Sequence, residues 1–316
     1  MTNTTIHPDW IERLTTPPPG WQTSAFTNAR GQRLHYAISF PSGDIKGRVV
    51  YVEGLNEPTQ KTYEMARDFN NQGLVFSVFD RMGQSNGGRF LSNRFKIHSQ
   101  GFQHDADDLI TFVKATLPHP EKATLLGHST GGLIALLAYH DHPELFTPPL
   151  VNAPLLGMMN KHMRGREHVF AALNVPEWMQ KLYVPGGRDW SLRGTHRLLP
   201  QDAYSSHPER MKLHDYFAEK SICLRNGDPT IGWLWHACKA MTAARDPQWL
   251  SELGPVTIVT TGMDAITDNS HIYKAFNHLP HMHHIHIKEA KHEALFETDP
   301  LRSQIISETT RLALNG

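Results

Sequence analysis

The stretch Ala123-Thr-Leu-Leu-Gly-His-Ser-Thr-Gly-Gly132 constrains this chain more than any other. Thr124 to Leu126 is a short apolar run of the kind that forms a buried strand, and Leu133 to Tyr139 reads as helix. Between them Ser129 is flanked by Gly127 and Gly131. A strand that turns sharply into a helix at a glycine-flanked serine is the setting of a nucleophile elbow. The glycines answer a steric need, because a Cβ on either flank would collide with the adjoining strand or helix. The turn lifts the hydroxyl above the sheet and aims the unpaired N–H groups of the new helix at the space where an oxyanion would form.

Around this stretch strands and helices alternate. Ser24–Thr27 and Gln32–Ser39 read as a hairpin about Asn28-Ala29-Arg30-Gly31, after a loosely ordered lead-in over residues 1–20 that ends in Pro17-Pro18-Pro19-Gly20. Strands are expected at Gly47–Glu53, Gly73–Asp80, Pro149–Ala153, Val256–Thr261 and His283–Glu289. Helices are expected near 59–70, 103–117, 269–277 and 299–314. Such alternation predicts an α/β fold, a mostly parallel eight-stranded sheet flanked by helices. The rhythm breaks over residues 154–246, which hold Trp, Met, His and Arg with short helical patterns and no clear buried strand. The expected division is therefore a core of 1–153 and 247–316 with an inserted helical cap at 154–246.

In an open parallel sheet, functional groups collect in loops at the C-terminal ends of strands. Ser129 lies in one such loop, Asp264 in Thr261-Gly262-Met263-Asp264 and His292 in Lys291-His292-Glu293. A serine hydroxyl is a weak nucleophile at neutral pH, so an imidazole must take its proton, and a carboxylate must hold the imidazole and offset its charge. The order Ser, Asp, His suits that assignment. Asp264 could instead cap the following helix, with Asp268 as the acid. The neighbours His278, His281, His283, His284 and His286 lie before or within the last strand, where a metal site would also want a convergent carboxylate or cysteine; neither a metal nor a cofactor is expected. The oxyanion donors are expected to be the backbone N–H groups of Thr130 and of Leu55 in Glu53-Gly54-Leu55-Asn56-Glu57. Glu57 reads as a loop-bonding side chain, and Asp80-Arg81-Met82-Gly83-Gln84-Ser85 as a turn that braces the elbow.

Composition narrows the partners. The 316 residues carry 31 basic and 31 acidic side chains, so no bulk field draws the chain to nucleic acid. Two cysteines, Cys223 and Cys238, form neither a metal spacing nor a disulfide framework. With no leader-like or membrane-spanning run, the cytoplasm is the expected location.

Taken together, these motifs resemble the α/β-hydrolases of the bacterial lysophospholipase and monoacylglycerol lipase branch. The likeness covers nearly the whole chain and rests most on Asp264-Ala-Ile-Thr-Asp268-Asn269 and Lys291-His292-Glu293-Ala-Leu-Phe-Glu297. It implies Ser129 as nucleophile, Asp264 as acid, His292 as base, and Leu55 and Thr130 as oxyanion donors. It also implies an acyl-binding lid in the cap, whose returning segment includes Asp228-Pro229-Thr230-Ile231-Gly232-Trp233-Leu234-Trp235. One position departs from the pattern: Glu53 stands where His commonly precedes the glycine. The expected activity is hydrolysis of a medium- or long-chain carboxylic ester, with Met158, Met159, Trp178, Trp233 and Trp235 as substrate contacts and the cap touching a membrane surface transiently. Lys161, His162, Arg164, Arg166 and His168 form a basic cluster read mainly as a solvated face. The same fold hosts esterases, lactonases and amide hydrolases of small non-lipid substrates, and fold alone does not choose among them.

Overall fold

A computed structural model describes residues 5–118, 121–160, 162–191, 203–276, 279 and 281–316. His278 and Lys161 lie outside them. The strands are β1 Trp21–Thr27, β2 Arg33–Ser39, β3 Gly47–Val52, β4 Leu74–Phe79, β5 Thr124–His128, β6 Leu150–Asn152, β7 Val256–Thr261 and β8 Met282–Ile287. They form one sheet in the order β1-β2-β4-β3-β5-β6-β7-β8. β2 runs antiparallel to β1 and β4, and every pairing from β4 to β8 is parallel.

The central strands are buried on both faces, which is why they read as continuous apolar runs. Along β3 the side chains alternate. Val49 and Tyr51 join one core layer and Val50 and Val52 the other. The first layer packs against α2 (Tyr63–Asn71) and α11 (Asp299–Asn315), the second against α3 (Phe102–Thr116) and α4 (Thr130–Asp141). α4 is apolar all round and buried over most of its length, as a helix pressed between sheet and neighbours must be.

The lead-in differs from expectation. Residues Pro8–Thr15 form a helix, α1, begun by a proline in its first turn and a His7 side chain that accepts from the Asp9 N–H. Leu14 is fully buried, and the Arg13 guanidinium pairs with Glu64 and, at 3.0 Å, with Asp299. The partners that hold α1 are distant in sequence, so no local pattern announces it.

The insertion divides its packing. α5 (Glu167–Ala171) and α6 (Glu177–Gln180) lie on α8 (Ile231–Ala243), and α8 sends Trp233, Ala237, Cys238 and Met241 into the core layer of α3 and α4. α7 (Leu213–Lys220) instead covers the other face, where Leu213 and Phe217 pack in the layer of α2. The buried Arg210 just before it clamps Glu64 through two hydrogen bonds of 2.7 Å.

Candidate active site

Ser129 sits between β5 and α4 with φ 53° and ψ −117°, a conformation L-residues rarely adopt. The surroundings enforce it. A Cβ on Gly131 would lie 2.0 Å from the Val52 carbonyl oxygen, and one on Gly127 would lie 2.7 Å from Gly132 Cα. The Ser129 N–H donates to the Asn152 carbonyl at the end of β6 (3.0 Å), which ties the elbow to the neighbouring strand.

Asp264 follows β7 and His292 follows β8, so adjacent parallel strands deliver them side by side. His292 Nδ1 lies 3.0 Å from Asp264 Oδ2 and 3.2 Å from Oδ1. The carboxylate also accepts from the N–H groups of Ile266 and Thr267 and from both threonine hydroxyls, Thr261 and Thr267. Burial alone would raise its pKa, but the charge and hydrogen bond of His292 and these donors carry it well below the usual carboxylate range. For His292 burial alone favours the neutral ring. The Asp264 charge and hydrogen bond, with Glu293 and Glu57 behind them, outweigh it and raise the pKa above the ordinary value.

Asp268 is engaged elsewhere: it pairs with Arg164 at 2.7 Å and accepts from the Ser270 N–H at the start of α10 (Asn269–Phe276). Among the described residues no hydrogen bond links Ser129 Oγ to His292. The ring of His128, the residue just before Ser129, stands 4.9 Å from the His292 ring, centroid to centroid. Catalytic hydrogen bonds are often long until substrate is seated.

Beneath these two rings lies a buried charge cluster absent from the sequence reading. Lys61 Nζ donates to Glu57 Oε1 (2.9 Å) and Glu293 Oε1 (2.8 Å). Glu57 also accepts from Tyr51 Oη and the Gly54 N–H. One ligand atom from each of Glu57, His128 and Glu293 lies within 4.8 Å of the others, but the cation among them is the Lys61 ammonium. Burial depresses His128 to a pKa of about 4, so its ring is neutral at physiological pH. The sequence reading gives Glu57 a loop-bonding role, which its bond to the Gly54 N–H matches, but assigns nothing to Lys61.

The buried Glu53, which stands where the resemblance expects a histidine, holds the neighbouring turn through one carboxyl oxygen. Its Oε1 accepts from the Arg81 N–H (3.1 Å) and from Gln84 Nε2 (2.7 Å). Asn56, with φ 62°, has its N–H bonded to Gln84 Oε1 and its side chain to Asn226 Nδ2 (2.7 Å), a residue of the insertion. Among the described residues, the N–H groups of Leu55 and Thr130 have no hydrogen-bond partner.

The five expected substrate contacts are dispersed. Met158 and Met159 run beside the acid loop, where Met159 N–H donates to the Ile266 carbonyl (2.9 Å) and Met158 bridges Thr267. Trp233 is buried edge-on against Phe102. Trp235 lines a separate cleft of about 520 Å³ with Phe90, His98 and His236. Trp178 is 64% exposed on the outer face of α6. In the basic cluster Arg164 is paired with Asp268, while Arg166 and His168 are exposed.

Residues 43–299 match the profile of the Hydrolase_4 family, described as serine aminopeptidase, S33. The chain is 27% identical over 296 residues to the probable lysophospholipase L2 of Haemophilus influenzae, covering 90% of this chain and 89% of that one. It is 28% identical over 274 residues to lysophospholipase L2 of Escherichia coli, covering 81% and 76%. Among solved structures, a soluble variant of monoglyceride lipase from Saccharomyces cerevisiae superposes with a TM-score of 0.67 at 16% identity, over 94% of this chain and 95% of that one. That likeness shows the α/β-hydrolase fold.

Proposed function

The chain belongs to the Hydrolase_4 family, and from that premise we propose that it is a serine hydrolase of carboxylic esters with medium or long acyl chains. The observation that carries the reading is the buried Asp264–His292 pair set beside a strained, glycine-flanked Ser129. The names of its relatives, lysophospholipase L2 and monoglyceride lipase, support a lipid ester as substrate.

In this mechanism His292 Nδ1 is occupied by Asp264, leaving Nε2 to take the Ser129 proton as Oγ attacks the ester carbonyl carbon. The carbonyl π electrons move to oxygen, and the oxyanion is met by the N–H groups of Leu55 and Thr130. Collapse expels the alcohol, which receives the proton from Nε2. Water then attacks the acyl-enzyme by the same relay, releasing the acid and restoring Ser129. Each step uses only side chains and backbone N–H groups of this chain, with water. The insertion serves as lid over the acyl chain, and its exposed Val169, Leu173, Trp178 and Leu182 form the face that meets a membrane surface. Both cysteines are free, which suits the cytoplasm.

Replacing Ser129 with Ala is expected to abolish both ester turnover and covalent labelling by a fluorophosphonate, read by mass spectrometry. Labelling that persists in this variant would place the nucleophile elsewhere. With aryl esters of increasing length, the optimum kcat/KM is expected at medium or long acyl chains, and a short-chain optimum would refute the lipid assignment.

A further inference from the structure

We propose that Arg81 is a positioning residue of the oxyanion hole, a single buried guanidinium that holds both backbone segments from which the donors project. The inference rests on the reading of Leu55 and Thr130 as those donors. Arg81 Nη2 donates to the Gly54 carbonyl (2.9 Å), the Glu53 carbonyl (3.0 Å) and Thr130 Oγ1 (3.1 Å). Gly54 C=O and Leu55 N–H belong to one planar trans peptide and point in opposite directions. Gripping the carbonyl therefore sets where the N–H points. Gln84 Nε2 grips the same carbonyl (3.1 Å), and Gln84 Oε1 takes the Asn56 N–H (3.0 Å), so the peptides on both sides of Leu55 are fixed. The hydroxyl of Thr130 is held from the same nitrogen, which fixes the first residue of α4 relative to the loop after β3.

Two features separate this from a bracing role alone. The turn that carries Arg81 is already closed by its own backbone, through Gly83 N–H to Gly88 O, Gln84 N–H to Arg81 O and Gly87 N–H to Gln84 O. All three Nη2 bonds leave that turn for the two loops of the hole. Second, a carbonyl that accepts from a cation is polarised, and the N–H of the same peptide becomes a stronger donor. Glu53 is packed against the same guanidinium: its Oε1 lies 3.7 Å from Arg81 Nε and accepts the Arg81 backbone N–H. That pairing gives the glutamate at the position before Gly54 a function that a histidine there would not serve.

The test compares R81M, R81K and the double variant R81M/E53Q with wild type, using an aryl ester, a trifluoromethyl ketone that forms an oxyanion on Ser129, and the product fatty acid. R81M leaves a buried carboxylate without its cation and can fail to fold. The double variant removes both charges. Losing one oxyanion donor costs about 100-fold or more in kcat, so misaligning donors is expected to lower kcat about 10- to 100-fold. KM and fatty-acid affinity stay within about twofold, the ketone's Ki rises by the factor lost in kcat, and R81K falls between wild type and R81M. Thr130→Val removes one Nη2 acceptor without unpairing a charge and should show the same split on a smaller scale, about threefold. Unchanged kcat in a folded R81M/E53Q and in T130V, or a loss confined to KM with the ketone unaffected, overturns the proposal. If wild-type hydrolysis does not depend on Ser129, the functional reading falls and takes this inference with it. If it does depend on Ser129 and these variants match wild type, this inference alone fails.

Discussion

His292 is surrounded by more negative charge than Asp264 alone supplies. Glu293 and Glu57 both favour its protonated form, with Lys61 between them limiting the effect. Because the base must be neutral to accept the serine proton, activity rises as pH climbs through the His292 pKa, which lies above the ordinary histidine value. Glu293→Gln removes one favouring charge, so the acid limb of the kcat/KM profile should move to lower pH. A limb that stays in place or moves upward would contradict the electrostatic account. Asp264 and His292 could be placed from sequence because each follows a recognisable strand, the buried β7 and the half-exposed β8. Lys61, Arg81 and Asn226 could not, since each acts through bonds to groups far along the chain, such as Asn226 to Asn56.

At the level of elements, β3, β4, β5 and β7 were legible because strands buried on both faces are rich in apolar and β-branched residues. α1 was not, because eight residues do not sustain a helix alone and this one is held by Glu64, Asp299 and a pocket for Leu14. Leu14→Ala should therefore cost about 2–4 kcal/mol, seen as a lower urea midpoint, with turnover at 25 °C preserved. A midpoint equal to wild type would mean that α1 contributes nothing to stability. The insertion was legible as an interruption, but not its split between two faces of the sheet. Leu213 and Phe217 are buried beside α2, next to the long-range pair Arg210–Glu64 that no local pattern announces.

For the molecule as a whole, equal numbers of acidic and basic residues leave surface association to apolar contact. Under the proposed function that contact falls to the exposed Val169, Leu173, Trp178 and Leu182. The double variant Leu173→Ser, Leu182→Ser should reduce sedimentation with phosphatidylcholine vesicles several-fold, with little dependence on salt. Vesicle binding that is unchanged in the variant, or that vanishes in moderate salt, would assign the contact to another surface. The tether from Asn226 to Asn56 carries a consequence for biosynthesis. An emerging polypeptide exposes the serine turn well before residue 226 leaves the ribosome, so the loop opposite that turn stays unfinished through most of translation. Asp264 and His292 emerge later still, so their pair can form beside Ser129 only when nearly the whole polypeptide has been made.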